Sequence, residues 1–450
     1  LRSAKGMGTG LGMEKSPVKI AFIGGGALRL LSTVLEIVKR PEFFPEPNLV
    51  FMDHDLGRAR TMATLARKMP EAEKNMPHSE ATDDLGTALD GADFVYCVIR
   101  VGGVVGMERD ERIGASYRFH GHDDFGPSGC MLTVRTLPVV LDIAKEMEKR
   151  CPDAWFLIFT NPITNMVDGV ERYTSVKSIG ICPGVYNFAW DVDAVLETGM
   201  PPPGLEYRGG GINHLSWICP DASLNGENVM ERIFREWNDI PGRKNASRCA
   251  WDITAQLVEL DRVMPMNNGH QAHFFFHDQQ ARKMAENYAK TTVDDLRSSK
   301  QDRAAAAAAV LAQQPKIENF WEQEALAGCG PDLRPDLGVQ TMESIHGDLG
   351  NELLINIPNR GHIKDLPEGT VVETAARVYK DRTESLGLDP IPEHHKGLCK
   401  SLAHHQRLLV DASISGDKER IFQALMAEPT IHSLDRARPM FDELWDTHTK

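Results

Sequence analysis

Three short apolar runs near the middle of the 450-residue chain each end on a residue with chemistry to offer. FTNPITN carries Asn161, SIGICPGVYN carries Cys182, and GGGINHLSW carries Asn213 and His214. In an open α/β sheet, ligands collect at the carboxyl ends of strands, so three such endings in succession read as one site under assembly. A thiolate and an imidazole from separate segments are a suitable ligand pair for a divalent transition metal. Taken singly, each residue also fits a plainer reading. A lone cysteine is usually a small buried hydrophobe.

The elements that must hold these residues begin at the other end of the pattern. Residues 18–23 (VKIAFI) predict a strand, Gly24-Gly25-Gly26 a turn, and Leu28, Leu31, Val34, Leu35 and Val38 a helix. Strand, glycine turn and helix cradle a dinucleotide phosphate. Gly24 permits the tight turn, Gly26 admits the pyrophosphate close to backbone, and the helix N-terminus adds partial positive charge. A second apolar run, 49–52, ends on Asp53, whose carboxylate suits ribose hydroxyls and favours NAD over NADP. Arg29 stands where the usual fingerprint has its third glycine, so the turn alone does not carry the assignment.

A third strand is expected over 93–99 (DFVYCVI), ending at Arg100. Residues 106–129 then read as a polar, glycine-rich loop, the usual seat of function between a strand and a helix. Arg109, Asp110, His122, Asp123 and Asp124 are its candidates, each also readable as a solvated loop residue. Helical periodicity follows over 131–149, with Pro138 as an expected kink.

Further on, amphipathic helices are predicted over 228–237, 250–263, 279–287 and 302–313, extended runs over 353–357 and 370–373, and a long helix over 395–415. The Pro/Gly-rich stretch 330–350 reads as a loop able to close over a site.

A net charge of −14 speaks against nucleic acid or an anionic membrane as partner, while leaving room for a local cationic cluster. No apolar run reaches the roughly 18 residues of a membrane span. Residues 1–17 lack the apolar core of a signal peptide and read as a flexible leader. Eight scattered cysteines without a CxxC pair point to free thiols in a reducing, cytoplasmic setting.

Taken in order, VKIAFIGGGA, the Asp53 strand end, VIRVGG, RDERIG, TNPITN, GICPG, GINH and LLINIPNRGHIKDLPEGTVVE resemble glycoside hydrolase family 4, whose members use NAD and a divalent metal. The resemblance runs from about residue 18 to the last predicted helix. It implies an α/β fold like that of lactate and malate dehydrogenases. A doubly wound Rossmann domain would span 18–190, and a mixed α/β substrate and metal domain 191–450.

The implied chemistry is redox elimination on a small-molecule glycoside. NAD takes a hydride from C3, a metal-stabilised enolate makes the C2 proton acidic, the C1 substituent leaves, water adds, and the hydride returns. By the same resemblance Gly24, Gly26, Asp53, Arg100 and Asn161 contact the cofactor, and Cys182 and His214 ligate the ion, with Mn²⁺ preferred over Co²⁺ or Ni²⁺. Asn161, Asn213, His122, Arg109 and Arg360 are its expected substrate contacts, and a homodimer or homotetramer is the implied assembly.

The chain departs from the family at three places. Pro183 follows Cys182, where a histidine or asparagine is common. Met107 stands where members acting on 6-phosphorylated sugars carry an arginine, which turns the expectation toward an unphosphorylated glycoside or a glycosiduronic acid. No tyrosine lies between Tyr207 and Tyr288, where many members keep their C2 base. Asp261, His270 and His273 stand in that stretch instead, and Gly269-His270 resembles a pair in the uronide-cleaving branch. His270, Asp261 and Asp123 are therefore the catalytic candidates, with His270 open as base or as contact to a substrate carboxylate. Two further classes stay open. A 2-hydroxy-acid dehydrogenase shares the fold and NAD site but has no need of Cys182 with His214. A nucleotide- or sugar-binding protein that has lost its chemistry is suggested by Pro183 and the missing tyrosine.

Overall fold

The computed structural model describes residues 17–236, 251–266, 268–291, 297–329 and 336–448. All but one residue of the expected leader lies outside them. Six strands are parallel: β1 (Lys19–Ile23), β2 (Asn48–Met52), β3 (His78–Thr82), β4 (Phe94–Cys97), β5 (Trp155–Ile158) and β6 (Lys177–Gly180), in the spatial order 3-2-1-4-5-6. KIAFI, NLVFM, FVYC and WFLI are near-continuous apolar runs because helices cover both faces of the sheet. The edge strand β3, HSEAT, alternates exposed and buried residues at its start instead.

The later strands are β7 (Leu205–Glu206), β8 (Gly209–Ile212), β9 (Leu215–Ile218), β10 (Ser223–Leu224), β11 (Glu227–Asn228), β12 (Asn351–Pro358), β13 (Val371–Val378) and β14 (Thr383–Ser385). Of these, β12, β13, β8 and β9 continue the same sheet antiparallel beyond β6, with β14 on β13. A small separate sheet runs β11-β10-β7. The seam between the two halves is narrow, with Asn356 of β12 facing Gly180 of β6. A methyl group on Gly180 would stand 2.4 Å from Ile163 Cγ2 and 2.8 Å from Asn356 Cβ, so only glycine lets the strands meet.

Three expectations about elements are corrected. The polar stretch is not one loop, because Gly103–Ser116 is a helix. Its charges do not mark solvent: Glu108, Asp110 and Glu111 are buried. Arg135 reaches Asp110 at 2.8 Å, and Tyr288 donates to Glu111. Tertiary partners thus override the solvated reading. The following helix starts earlier than its periodicity shows, at Gly126, with Pro127 in its first turn where the missing N–H costs nothing, and it runs through Pro138 to Arg150.

Within 330–350, residues 330–335 lie outside the described residues, and Leu337–Gly347 is a helix, not a closing loop. Asp336 caps it by accepting the Val339 N–H, while its apolar residues pack into the core. Asp336 also accepts from Thr33, and Glu343 pairs with Arg40, so this helix is docked on the Leu30–Val38 helix.

No helix among the described residues is long and apolar enough to cross a membrane. Replacing Gly180 by alanine is expected to cost about 1–3 kcal/mol through overpacking of the seam. Urea unfolding monitored by tryptophan fluorescence would show it as a lower midpoint.

Candidate active site

At the end of β1 the chain turns through Gly24, whose φ of +85° lies in the left-handed region open to glycine. The N–H groups of Gly24 and Gly25 both donate to the Met52 carbonyl, at 3.0 and 2.7 Å, which ties the turn to β2. Asp53 follows β2 directly and accepts the Gly26 N–H at 2.9 Å. Gly24, Gly26, Asp53, Arg100 and Ile143 line a cleft of about 720 Å³. An adjoining cavity of about 430 Å³ shares Arg100 with it and adds Asp123, Phe159 and Asn161.

The far side of both spaces comes from the second half of the chain. Gln301, on the helix Arg297–Ala312, lines the cleft and the cavity alike, and its neighbour Asp302 pairs with Arg58 at 2.7 Å. Arg29, at the missing third glycine, lies over the Phe159 ring at 4.0 Å.

Next to the cavity stands a buried polar centre. Asp123 Oδ2 accepts from Arg100 at 2.9 Å and from Asn161 at 3.0 Å, so one carboxylate joins both predicted cofactor contacts. Burial opposes the Asp123 charge, but His122 and the Arg100 guanidinium hold its carboxyl well below the ordinary value. Asp124 stands 2.7 Å from His214 Nδ1. Burial works against its charge too, yet chiefly His214 brings its carboxyl down to about 2.

His214 Nε2 in turn lies 3.4 Å from Cys182 Sγ. Cys182 comes two residues after β6, and His214 sits in the tight turn between β8 and β9 with a φ of +66°. A non-glycine residue in that region costs free energy and persists where its surroundings over-determine it. Here the surroundings are Asp124 on one ring nitrogen and Cys182 on the other.

His270 stacks on the His214 ring, with centroids 3.8 Å and planes 26° apart, and stands edge-on to His122 at 4.7 Å. Burial first, then the neighbouring His214 and His122, push the His270 pKa well below its usual value. His122 accepts the Asp124 N–H at Nδ1, while its buried Nε2 has no hydrogen-bond partner among the described residues.

The structure therefore brings together Arg100, His122, Asp123, Asn161, Cys182, His214 and His270, beside the cleft of Gly24, Gly26 and Asp53. Four expected residues go elsewhere. Asp261 accepts from Trp217 Nε1 and faces His394 and His395, so both its oxygens are engaged in a separate cluster. Arg109 turns toward His448 of the last helix. Arg360 is exposed, on a turn pinned by buried Asn359. Asn213 is buried and donates to Glu373 at 2.8 Å.

Sequence reasoning also missed partners. Glu373, in the middle of β13, accepts from both Asn213 and Ser216, and burial raises its pKa. The lone acid in the apolar run TVVETAARV was the available signal. Behind the centre, His273 joins His120 at 3.0 Å to Glu428 at 3.0 Å, a link between segments too distant in sequence to leave any local pattern.

Fold and site together define a Rossmann-type α/β protein with a buried thiol, imidazole and carboxylate centre beside its glycine-turn cleft. The Family 4 glycosyl hydrolase pattern matches residues 19–198, and that of its C-terminal domain residues 210–431. The chain belongs to this family of glycosidases.

It is 26% identical over 444 residues to a probable 6-phospho-beta-glucosidase of Bacillus subtilis (strain 168), covering 96% of each chain. It is 25% identical over 460 residues to an alpha-galacturonidase of Thermoanaerobacter italicus, covering 95% of this chain and 96% of the relative. A solved 6-phospho-alpha-glucosidase from gut microorganisms, in complex with NAD and Mn²⁺, superposes with a TM-score of 0.80 at 17% identity, over 96% of this chain and 98% of that one. That likeness fixes the fold.

The donor set fits a divalent ion. Ligands about 2.1 and 2.3 Å from one ion stand roughly 3.1–3.6 Å apart at right to tetrahedral angles, which brackets the Cys182–His214 separation. His214 also belongs to a group with His122, Asp124 and His270 whose ligand atoms all lie within 4.8 Å of one another. Asp124→Asn, which weakens the orientation of His214, is expected to lower Mn²⁺ affinity about 10–100-fold by calorimetric titration. Arg109→Ala should leave that affinity unchanged.

Proposed function

We propose that this protein cleaves an unphosphorylated glycoside or glycosiduronic acid by redox elimination, with NAD and a divalent ion such as Mn²⁺. The observation that carries the reading is the Cys182–His214 pair, 3.4 Å apart and linked through Asp124, Asn161 and Asp123 to the wall of the glycine-turn cleft. The NAD and Mn²⁺ held by the solved relative support the same choice of cofactors. When bound, the nicotinamide would accept and return the C3 hydride, and the ion would stabilise charge developing on the neighbouring sugar oxygens.

The chain's own residues supply the rest. Gly24 and Gly26 leave room for phosphate, and Asp53 stands ready for the ribose hydroxyls. Cys182 and His214 grip the ion, with Asp124 orienting the imidazole. Asn161 orients a sugar hydroxyl beside Arg100. Asp123 is a positioning residue, because a carboxyl held so far below its ordinary value is a poor acceptor of the C2 proton. His270 is the better-placed base, stacked on the His214 ring beside the ion's ligands. Its lowered pKa keeps it neutral at pH 7 with a lone pair free, while making it a weaker acceptor than an ordinary imidazole.

Two side chains support the unphosphorylated branch. Met107 is buried with its sulfur against Arg100, and Arg109 points to the last helix. Relatives of both kinds, phosphoglucosidase and galacturonidase, align at about the same identity, and these side chains favour the unphosphorylated reading.

Nitrophenyl glycosides and glycosiduronic acids incubated with NAD, Mn²⁺ and a thiol should release phenol with no net NADH. EDTA should abolish that release, and added Mn²⁺ should restore it. Accumulating NADH would point to a dehydrogenase, and neither signal to a binding protein. His270→Asn is expected to lower kcat by roughly 10²–10⁴ with little change in KM.

A further inference from the structure

Away from this centre, Asp261, His394 and His395 form a second convergence of ligand atoms, all within 4.8 Å of one another. Asp261 ends the helix Trp251–Asp261, and the two histidines precede the helix Lys396–Ser415. Segments some 130 residues apart thus meet at one carboxylate oxygen. His394 Nε2 lies 3.0 Å and His395 Nε2 2.8 Å from Asp261 Oδ1. Two imidazole nitrogens on one oxygen use only half of the carboxylate. The other oxygen is fixed by the indole N–H of Trp217 at 3.0 Å.

We propose that Asp261, His394 and His395 bind a divalent transition-metal ion of borderline softness, Zn²⁺ in the first instance. Two ligands about 2.1 Å from one ion stand roughly 3.0–3.4 Å apart at right to tetrahedral angles. The two Asp261–imidazole spacings lie within a few tenths of an ångström of that range, and the two imidazole nitrogens are within 4.8 Å of each other. One carboxylate with two imidazoles selects zinc, cobalt or nickel over the all-oxygen preferences of magnesium and calcium.

The ligands are held in place. The Trp217 indole orients the carboxylate from outside, as outer partners of metal ligands commonly do. The His395 ring stacks on Trp217, with centroids 5.3 Å and planes 15° apart, and packs against Phe275. The His394 side chain is half exposed, which leaves ions a way in and water a remaining position.

The site's place in the fold gives the ion a structural role. Trp217 lies in β9, which begins immediately after His214, and β9 also bonds to the 264–266 segment through Ile218 and Met266. An ion here would fasten that segment, β9 and the start of the Lys396–Ser415 helix to one point.

The test uses the full chain. Zn²⁺ stoichiometry by equilibrium dialysis and metal analysis is compared between the parent, His394→Ala and Asp261→Asn, each also in a Cys182→Ser background that separates this site from the other. His394 is half exposed, so its removal leaves the core intact, and Asp261→Asn preserves side-chain shape.

The expected result is one Zn²⁺ equivalent fewer in each variant in both backgrounds. The parent's Zn²⁺-induced rise in Tm should shrink in parallel. An unchanged Zn²⁺ count in either variant overturns the proposal.

Discussion

At Gly180 a parallel sheet and an antiparallel one are joined through a contact with no room for a side chain. Strand β6 delivers Cys182 just past that contact, while β12, β13 and β8 carry the sheet onward to the turn holding His214. The sulfur and the imidazole therefore come from opposite sides of the seam, and their separation is set by how closely β12 approaches β6. A methyl group at residue 180 would meet Ile163, Val167 and Asn356 together. Close packing transmits such a shift, because folded interiors have little slack to absorb it. The rest of the site presupposes this approach.

The second organising demand is electrical. Asp124 and His214 are withdrawn from water with Asp123 half-buried beside them, and each charge there would be costly alone. The structure answers with shared partners: Asn161 donates to both aspartates, and Arg100 to one of them. Glu373 then holds Asn213 and Ser216 on either side of the His214 position, so the turn is supported from the sheet beneath. A network with this many shared members loses more than one contact when any member is removed. Such a concentration of buried polarity is preorganised to stabilise charge that develops beside it.

Much of this was legible in the residues, and the limits have physical causes. The glycine turn and Asp53 are local signals: a φ above zero and a carboxylate at a strand end both leave their mark within a few residues. Cys182 and His214 stood out because each closes an apolar run. Asp261 was misplaced because sequence proximity to His270 says nothing about direction, and Trp217 with two histidines takes both its oxygens. Arg109 was expected at the substrate or in a solvated loop, but it lies on a helix and its guanidinium turns to His448 of the last helix. Glu373 and the His120–His273–Glu428 link were invisible because their partners are fixed only when distant strands and helices pack.

The helix Arg297–Ala312 belongs by sequence to the second half, yet Gln301 faces the same cleft as Gly24 and Asp53. Nucleotide enclosure is thus not a property of the first 190 or so residues by themselves. A fragment cut after β6 would keep its fingerprint and lose a wall, leaving Arg58 without the Asp302 that spans the opening. The two walls of one cleft therefore come from opposite halves of the sequence, and exchanging either half with a foreign partner would remove part of the enclosure.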